Sequence, residues 1–230
     1  MSDIGKNIEQ VHARIQKAAR EAGRDPDAVR LVAVTKTVTA ARIREAAEAG
    51  LNCFGENYVQ EAREKIETMA DASVSWHFIG RLQSNKVKFA VGLFDLIHSV
   101  DSLKLAREID RHAAKHELVQ NILVQVNVGK ETQKSGIDEE AAAALVRDAA
   151  GLKHVRVRGL MTMPPFFDAP EKIRPYFRQL AQLREQIVAQ NIAGADMREL
   201  SMGMTGDFEV AIAEGATLVR IGTAIFGERT

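Results

Sequence analysis

The stretch Leu31-Val-Ala-Val-Thr-Lys36 decides the fold assignment, because five apolar or β-branched residues run directly into a lysine. An unbroken run of this kind is typical of a strand that is buried on both faces, as in a parallel sheet. Side chains alternate along a strand, so Lys36 is expected to project to the same face as Val32 and Val34. The stretch therefore predicts a buried strand that ends at a lysine.

A lysine in this position has two interpretations. Among apolar neighbours its ammonium group loses hydration, which lowers its pKa below the usual value of about 10.4 and favours the uncharged, nucleophilic amine. That is the setting of a lysine that forms a Schiff base. Alternatively, Lys36 only ends the strand and extends its charged group into water. The strand alone leaves both interpretations open.

The remainder of the chain alternates strands with helices. Residues 3–22 predict an amphipathic helix before the first strand, and seven more strands are predicted at 51–54, 74–79, 94–98, 119–128, 155–161, 199–200 and 217–221. Strict alternation favours an α/β fold with a parallel sheet. A total of eight strands favours a (β/α)8 TIM barrel over an open doubly wound sheet. We expect residues 1–230 to form a single barrel domain with an extra N-terminal helix.

The composition excludes several classes of protein. The chain has 230 residues, 46% of them hydrophobic, which suits one domain with a full core. Lys plus Arg and Asp plus Glu number 31 each, so we expect no nucleic-acid partner. No apolar run approaches the ~20 residues that span a membrane, and the first residues lack the apolar segment of a signal peptide. With Cys53 as its single cysteine, the protein is expected to be cytoplasmic.

Candidate functional residues follow from the barrel, because barrel active sites lie at the C-terminal ends of the strands. The residues at these positions are Lys36, Asn57, His77, His98 or Ser99, Asn127, Met161, Ser201 to Thr205, and Arg220 to Thr223. Most are polar where barrel interiors are usually apolar, which favours a functional site. His112 and His116 are more consistent with an exposed helical pair than with a zinc site, so we expect no metal. The polar segment 129–136 predicts a mobile loop.

The turns after the seventh and eighth strands form the most informative pair. They are Ser201-Met-Gly-Met-Thr-Gly206 and Arg220-Ile-Gly-Thr223. Barrels commonly bind phosphate groups between these two loops, on backbone N–H groups at a helix N-terminus. Either turn alone is equally consistent with an ordinary helix cap, but both together favour a phosphate site. Arg220, close to the end of a short apolar strand, needs either a planar acceptor or an acidic partner.

Several segments together resemble the alanine-racemase-type (fold type III) pyridoxal phosphate barrel. The resemblance is closer to the pyridoxal phosphate homeostasis (YggS/PROSC-like) family, whose members consist of the barrel alone. The segments are Val32–Lys36, Phe54–Tyr58, Trp76–Lys86, Gly159–Met163, Leu200–Met204 with Asp207, and Val219–Gly227. They cover nearly the whole chain. One departure is Thr205-Gly206, where the family pattern leads us to expect a serine followed by an acidic or polar residue; threonine keeps the hydroxyl.

The resemblance implies that pyridoxal 5'-phosphate is the cofactor and assigns residues to it. It implies that Lys36 holds the cofactor as a Schiff base, that Arg220 faces the pyridine nitrogen, that Ser201, Gly222 and Thr223 bind the phosphate, and that Asn57, His77 and Met161 line the ring. A guanidinium facing the pyridine nitrogen would keep that nitrogen unprotonated. The cofactor would then withdraw electrons weakly, which disfavours carbanion chemistry.

The resemblance also implies a function in cofactor homeostasis rather than robust catalysis. Racemases of this fold type need a second acid/base, a tyrosine from an added β-domain, and the two tyrosines here, Tyr58 and Tyr176, fall at the start of one predicted helix and inside another. We therefore expect an intracellular carrier that makes pyridoxal phosphate available to apo-enzymes, as a monomer or weak dimer. Two alternatives stay open. One is an amino-acid racemase-like enzyme, and the other is a cofactor-free barrel that uses Lys36 on a phosphorylated sugar.

Overall fold

The computed structural model describes residues 2–70, 72–129, 135–165 and 167–228. The strands are β1 (Arg30–Val34), β2 (Cys53–Glu56), β3 (Ser75–Phe78), β4 (Leu96–Val100), β5 (Gln120–Gln125), β6 (Val155–Met161), β7 (Ala195–Met204) and β8 (Leu218–Ile221). The helices are α1 (Asp3–Glu21), α2 (Ala40–Glu48), α3 (Val59–Thr68), α4 (Val87–Ala90), α5 (Leu103–Lys115), α6 (Glu139–Ala150), α7 (Arg174–Ala189), α8 (Phe208–Ala213) and α9 (Thr223–Phe226).

The strands close into one parallel barrel in chain order. Each strand pairs with the next, and β8 returns to pair with β1, where Val32 lies opposite Arg220. The prediction of a (β/α)8 barrel with an extra N-terminal helix is thus confirmed. Because the strands are parallel, all of their C-terminal ends open on the same face of the barrel.

The N-terminal helix α1 forms because its apolar residues fall on one face. Ile4, Ile8, Val11 and Ile15 are all buried, and burial of such a side chain contributes roughly 1.5–3 kcal/mol. The helix packs beside α8 and α9, and Asn7 Nδ2 donates a hydrogen bond to the carbonyl oxygen of Ile225 at 3.0 Å. It therefore ties the start of the chain to the turn that follows β8.

Five strand predictions need correction in their boundaries, and one of these strands, β5, ends at Gln125 rather than at residue 128. Strands β2 and β4 both lie two residues later than predicted, because Leu51 and Phe94 are buried in the connections that precede the strands. Strand β1 ends at Val34 rather than at Lys36, and Thr37 then adopts φ +64°. Lys36 consequently lies in a turn beyond the strand.

The seventh strand was predicted to be brief, at 199–200, but β7 spans ten residues. Its N-terminal half is polar because it forms ion pairs at the N-terminal end of the barrel. Arg158 Nη1 lies 2.7 Å from Asp196 Oδ2, and Arg30 Nη2 lies 2.5 Å from Glu199 Oε1. Because a strand is predicted from apolar or alternating residues, these charged residues kept the N-terminal half of β7 out of the prediction.

Two observations concern the remaining predictions. Residues 130–134 of the predicted loop 129–136 lie outside the described residues. Within the described ranges, no helix has both the length and the apolar character needed to cross a membrane.

Candidate functional site

A cavity of about 240 Å³ opens at the C-terminal end of the barrel. Among the predicted site residues, it is lined by Lys36, Arg220, Gly222 and Thr223. The barrel closure explains this juxtaposition, because β8 pairs with β1 and the turns that follow the two strands must therefore be neighbours. A smaller cavity of about 110 Å³ also includes Lys36, Gly222 and Thr223.

A larger cavity of about 530 Å³ lies at the opposite, N-terminal end of the barrel. Arg30 and Glu199 line it and are paired with one another, as are Arg158 and the neighbouring Asp196. In (β/α)8 barrels the N-terminal face serves stability and the C-terminal face carries the chemistry. We therefore assign the functional site to the cavity of about 240 Å³ at the C-terminal end, which we call the Lys36 cavity.

Arg220 reaches the cavity from inside the barrel and is 4% exposed. Its Nη1 donates a hydrogen bond to Ser201 Oγ at 2.5 Å, and its Nη2 donates one to the carbonyl oxygen of Thr162 at 2.9 Å. Burial lowers the pKa of Arg220 to about 10, with Asp207 opposing the shift. The guanidinium is therefore charged at neutral pH, and both of these hydrogen-bond acceptors are uncharged.

Behind Arg220 lies a row of buried polar side chains that we call the interior chain: Ser201, His98, His77 and Cys53. His98 Nδ1 lies 2.9 Å from Ser201 Oγ, and His98 Nε2 lies 3.0 Å from His77 Nδ1. His77 Nε2 lies 3.6 Å from the sulfur of Cys53. The contacts connect Arg220 at one end of the barrel to His77, which lines the cavity at the other end.

The two histidines of the interior chain are neutral at pH 7. Burial lowers the pKa of His77 to about 4 and lowers that of His98 well below its usual value, with nearby positive charges adding to the effect. Because arginine can only donate hydrogen bonds, Ser201 Oγ accepts one from Arg220, and the Ser201 hydroxyl can donate one to His98 Nδ1. Donation from His98 to His77 and from His77 to Cys53 then satisfies the remaining contacts.

The other predicted residues occupy different positions. Ser201 and Met161 are fully buried in the barrel interior, and Met161 packs in an apolar cluster with Val32 and Leu123. Asn57 follows β2, and its Oδ1 is buried without a hydrogen-bond partner among the described residues. An unsatisfied buried acceptor is costly, but Asn57 is not among the residues that line the Lys36 cavity.

Sequence reasoning gave too little weight to the middle of the β7–α8 loop. Thr205 and Gly206 line the Lys36 cavity together with Asp207. Asp207 Oδ1 accepts a hydrogen bond from the backbone N–H of Met204 at 2.6 Å, which closes the loop, and burial raises the pKa of Asp207. The available signal was the hydroxyl of Thr205, which belongs to the predicted phosphate turn but was not among the residues assigned to the cofactor.

The chain is similar to several known proteins. Residues 7–230 match the family model described as alanine racemase, N-terminal domain. A pyridoxal phosphate homeostasis protein from Aquifex aeolicus is 48% identical over 225 residues, which cover 97% of each chain. A protein of the same name from Pseudomonas aeruginosa is 46% identical and is matched over 100% of this chain and 97% of that one. The solved structure of PipY from Synechococcus elongatus with PLP bound has a TM-score of 0.86 and 36% identity, covering 97% of this chain and 100% of that one.

Proposed function

Because this chain belongs to the pyridoxal phosphate homeostasis protein family, within the alanine racemase N-terminal domain family, we propose that it binds pyridoxal 5'-phosphate at Lys36 and acts in homeostasis of that cofactor. The observation that carries the proposal is the shared cavity. It places one lysine, one buried arginine and the turns after β7 and β8 around the same space.

The residues around the cavity fit a phosphorylated aromatic aldehyde. When bound, such a cofactor supplies an aldehyde that reacts reversibly with an amine, and Lys36 provides the amine. The hydroxyls of Thr205 and Thr223 and the backbone at Gly206 and Gly222 suit a phosphate group. A Cβ atom at Gly222 would lie 3.3 Å from the carbonyl oxygen of Val34, so glycine lets the two turns approach closely.

The position of Ser201 modifies the expected phosphate site. Its Oγ already contacts Arg220 and His98 inside the barrel. We propose that Ser201 supports Arg220 from inside the barrel through their hydrogen bond. Thr205 would then bind the phosphate group in place of Ser201. His77 would act in the same indirect way through His98 rather than by lining the ring.

Arg220 favours a carrier over a carbanion enzyme. Its charge makes a second positive charge on an adjacent ring nitrogen unfavourable, so that nitrogen stays unprotonated and withdraws electrons weakly. Racemisation also needs an acid/base on each face of the ring. Of the two tyrosines that were considered for the second acid/base, Tyr58 is 61% exposed. The ring of the other, Tyr176, stacks on Phe167, a residue of the cavity wall, with centroids 5.7 Å apart.

We further propose that the cofactor passes from this protein to apo-enzymes in the cytoplasm, with the chain acting as a monomer or weak dimer. Reversible attachment at Lys36 supports transfer, since the bond that holds the aldehyde can be reversed by water or by another amine. Activation of an apo-enzyme by the loaded protein, at a rate above that of spontaneous release, would support this proposal. Racemase activity at enzyme-like rates would replace it with the enzyme alternative.

The first test is an absorption spectrum with pyridoxal phosphate, followed by borohydride reduction and peptide mass mapping. We expect a visible band that disappears on reduction, with the reduced cofactor then attached to the peptide containing Lys36. In Lys36→Ala the band should be lost completely while thermal unfolding is nearly unchanged, because Lys36 is partly exposed and lies outside the strand. Lys88→Ala, which changes an exposed lysine of α4, is the control.

Two outcomes would contradict the proposal. A wild-type protein that stays colourless and unmodified would favour the sugar-phosphate alternative. A reducible adduct of unchanged yield in Lys36→Ala would show that Lys36 is not the anchor.

A further inference from the structure

A cluster of charged residues lies beside the turn that carries Lys36. It consists of Glu56 at the end of β2 and Glu61 and Lys65 on α3, and we call it the Lys65 cluster. Lys65 Nζ lies 2.8 Å from Glu56 Oε1 and 2.6 Å from Glu61 Oε1. The Lys65 side chain is 9% exposed and that of Glu56 is fully buried. Since buried ion pairs often add little net stability, this cluster calls for another explanation.

The Lys65 cluster contacts the backbone on both sides of Lys36. On the N-terminal side, Lys65 Nζ donates a hydrogen bond to the carbonyl oxygen of Thr35 at 2.6 Å, and Thr35 Oγ1 donates one to Glu56 Oε1 at 2.6 Å. On the C-terminal side, the backbone N–H of Thr37 donates one to Glu61 Oε1 at 2.6 Å. The Lys65 cluster therefore fixes both neighbours of Lys36, Thr35 through Lys65 and Glu56 and Thr37 through Glu61.

The turn needs such support because it lies beyond the strand. The hydrogen bond from the Thr35 N–H to the carbonyl oxygen of Gly55, at 2.9 Å, continues the β1–β2 pairing beyond Val34. Two residues later, Thr37 adopts φ +64°, a conformation that a β-branched residue rarely adopts. The bond from Thr37 to Glu61 offsets the cost of that conformation and sets the direction in which Lys36 leaves the backbone.

Lys65 itself is poorly suited to react with an aldehyde. An ammonium group has three hydrogens, and the structure provides three acceptors within 2.8 Å: the carbonyl oxygen of Thr35, Glu56 Oε1 and Glu61 Oε1. These three contacts use all the hydrogens of the Lys65 ammonium group.

We infer that Glu56, Glu61 and Lys65 are positioning residues that fix the turn of Lys36 and thereby set its affinity for an aldehyde ligand. The inference rests on the proposed function of Lys36. It assigns to α3 a part in cofactor binding, although none of these three residues is among those that line the Lys36 cavity.

Glu61 offers the sharpest test because its side chain is 28% exposed, so its replacement should leave the fold intact. We compare Glu61→Ala, Glu61→Gln, which retains an oxygen acceptor, and Glu64→Ala, which removes an exposed glutamate from the same helix. Two quantities are measured: hydrogen exchange of the Thr37 amide without added cofactor, and apparent affinity for pyridoxal phosphate from the visible band. Thermal unfolding of each variant shows whether the fold has changed.

In Glu61→Ala we expect Thr37 exchange to be faster, and cofactor affinity weaker, by roughly tenfold each, the effect of losing one hydrogen bond to a charged group. Glu61→Gln should recover most of both losses, and Glu64→Ala should match the wild type. Equal exchange and equal affinity in Glu61→Ala and Glu64→Ala would overturn the inference. A wild-type protein that forms no adduct would overturn the proposed function instead, and Thr37 exchange would still decide whether the cluster holds the turn.

Discussion

The interior chain behind Arg220 and the Lys65 cluster beside Lys36 are both buried, yet they differ in charge. The histidines of the interior chain are neutral, because burial lowers their pKa values, and the positive charges of Arg30 near both rings and of Arg220 near His98 lower them further. The Lys65 cluster instead contains a lysine with two carboxylates, at the edge of the barrel where α3 supplies the partners. Burial is therefore compatible with charge in the Lys65 cluster, where opposite charges meet, while it keeps the two histidines of the interior chain neutral.

The comparison also separates two ways of supporting a functional group. Arg220 is held through its own side chain, by Ser201 and the carbonyl oxygen of Thr162. Lys36 is held through its backbone, by contacts to Thr35 and Thr37. Backbone support suits the role that we propose for Lys36, whose side chain would bond and release a ligand.

The largest stability effect is expected from Lys65→Met. This change leaves Glu56 buried without its counter-charge, and breaking a buried pair in this way costs about 3–5 kcal/mol. Chemical denaturation measures the loss. The double variant Lys65→Met/Glu56→Gln should recover part of it, because the buried carboxylate is then removed as well.

The matched control for Lys65→Met is Glu67→Ala, which breaks the exposed Arg63–Glu67 pair of the same helix. An exposed pair of this kind contributes only about 0–1 kcal/mol. Equal losses in the two variants would mean that the Lys65 cluster behaves as an ordinary surface ion pair.

A smaller effect is expected from His98→Leu in the interior chain. Ser201 Oγ and His77 Nδ1 would each lose a partner, and an unsatisfied buried polar group costs about 1–3 kcal/mol. We expect a total near 2–4 kcal/mol, with weaker cofactor affinity because Arg220 loses its support. His116→Leu, which changes an exposed histidine at the end of α5, should have little effect on either quantity. Unchanged stability in His98→Leu would show that the interior chain is dispensable.

Between pH 6.5 and 5, the smallest of these effects is the pH dependence contributed by His77. Its pKa is lowered from 6.5 to about 4 in the folded protein, so between these values the unfolded chain binds the proton that the folded protein excludes. Stability from this residue is fully present above pH 6.5 and falls as the pH decreases toward 4, by about 1.4 kcal/mol per pH unit.

Other groups also have shifted pKa values, so the measured quantity is a difference between two proteins. Glu56 and Asp207 have raised pKa values and contribute with the opposite sign. The wild type should therefore lose more stability than His77→Gln when the pH is lowered from 6.5 to 5. Parallel stability profiles for the two proteins would refute a buried neutral His77.

Much of the architecture follows from the sequence alone. The apolar run of β1, the alternation of strands and helices, and the two glycine-containing turns are local patterns, and they predict the barrel and its C-terminal site. Lys36, Arg220, Gly222 and Thr223 were all predicted site residues, and the structure brings them to one cavity. Closure of the barrel by β8 against β1 is what makes them neighbours.

Local patterns could not decide which polar residues face the barrel interior and which face the Lys36 cavity. Ser201 and Thr205 lie four residues apart in one small, hydroxyl-bearing segment, yet Ser201 enters the barrel interior and Thr205 lines the cavity. Strand β7 continues to Met204, and Gly203 in it adopts φ +91°, which alters the regular alternation of side chains. Orientation here depends on the pairing of β7 with its neighbours.

Two ion pairs within α3 show what the sequence cannot decide. Glu61–Lys65 and Arg63–Glu67 both join opposite charges four residues apart on one helix. The sequence determines that both pairs can form, because residues four apart share a helix face. Only the tertiary structure decides that one pair faces solvent while the other meets the turn of Lys36. The physical reason is the rotation of α3 against the barrel, which is set by its buried residues Val59 and Ala62.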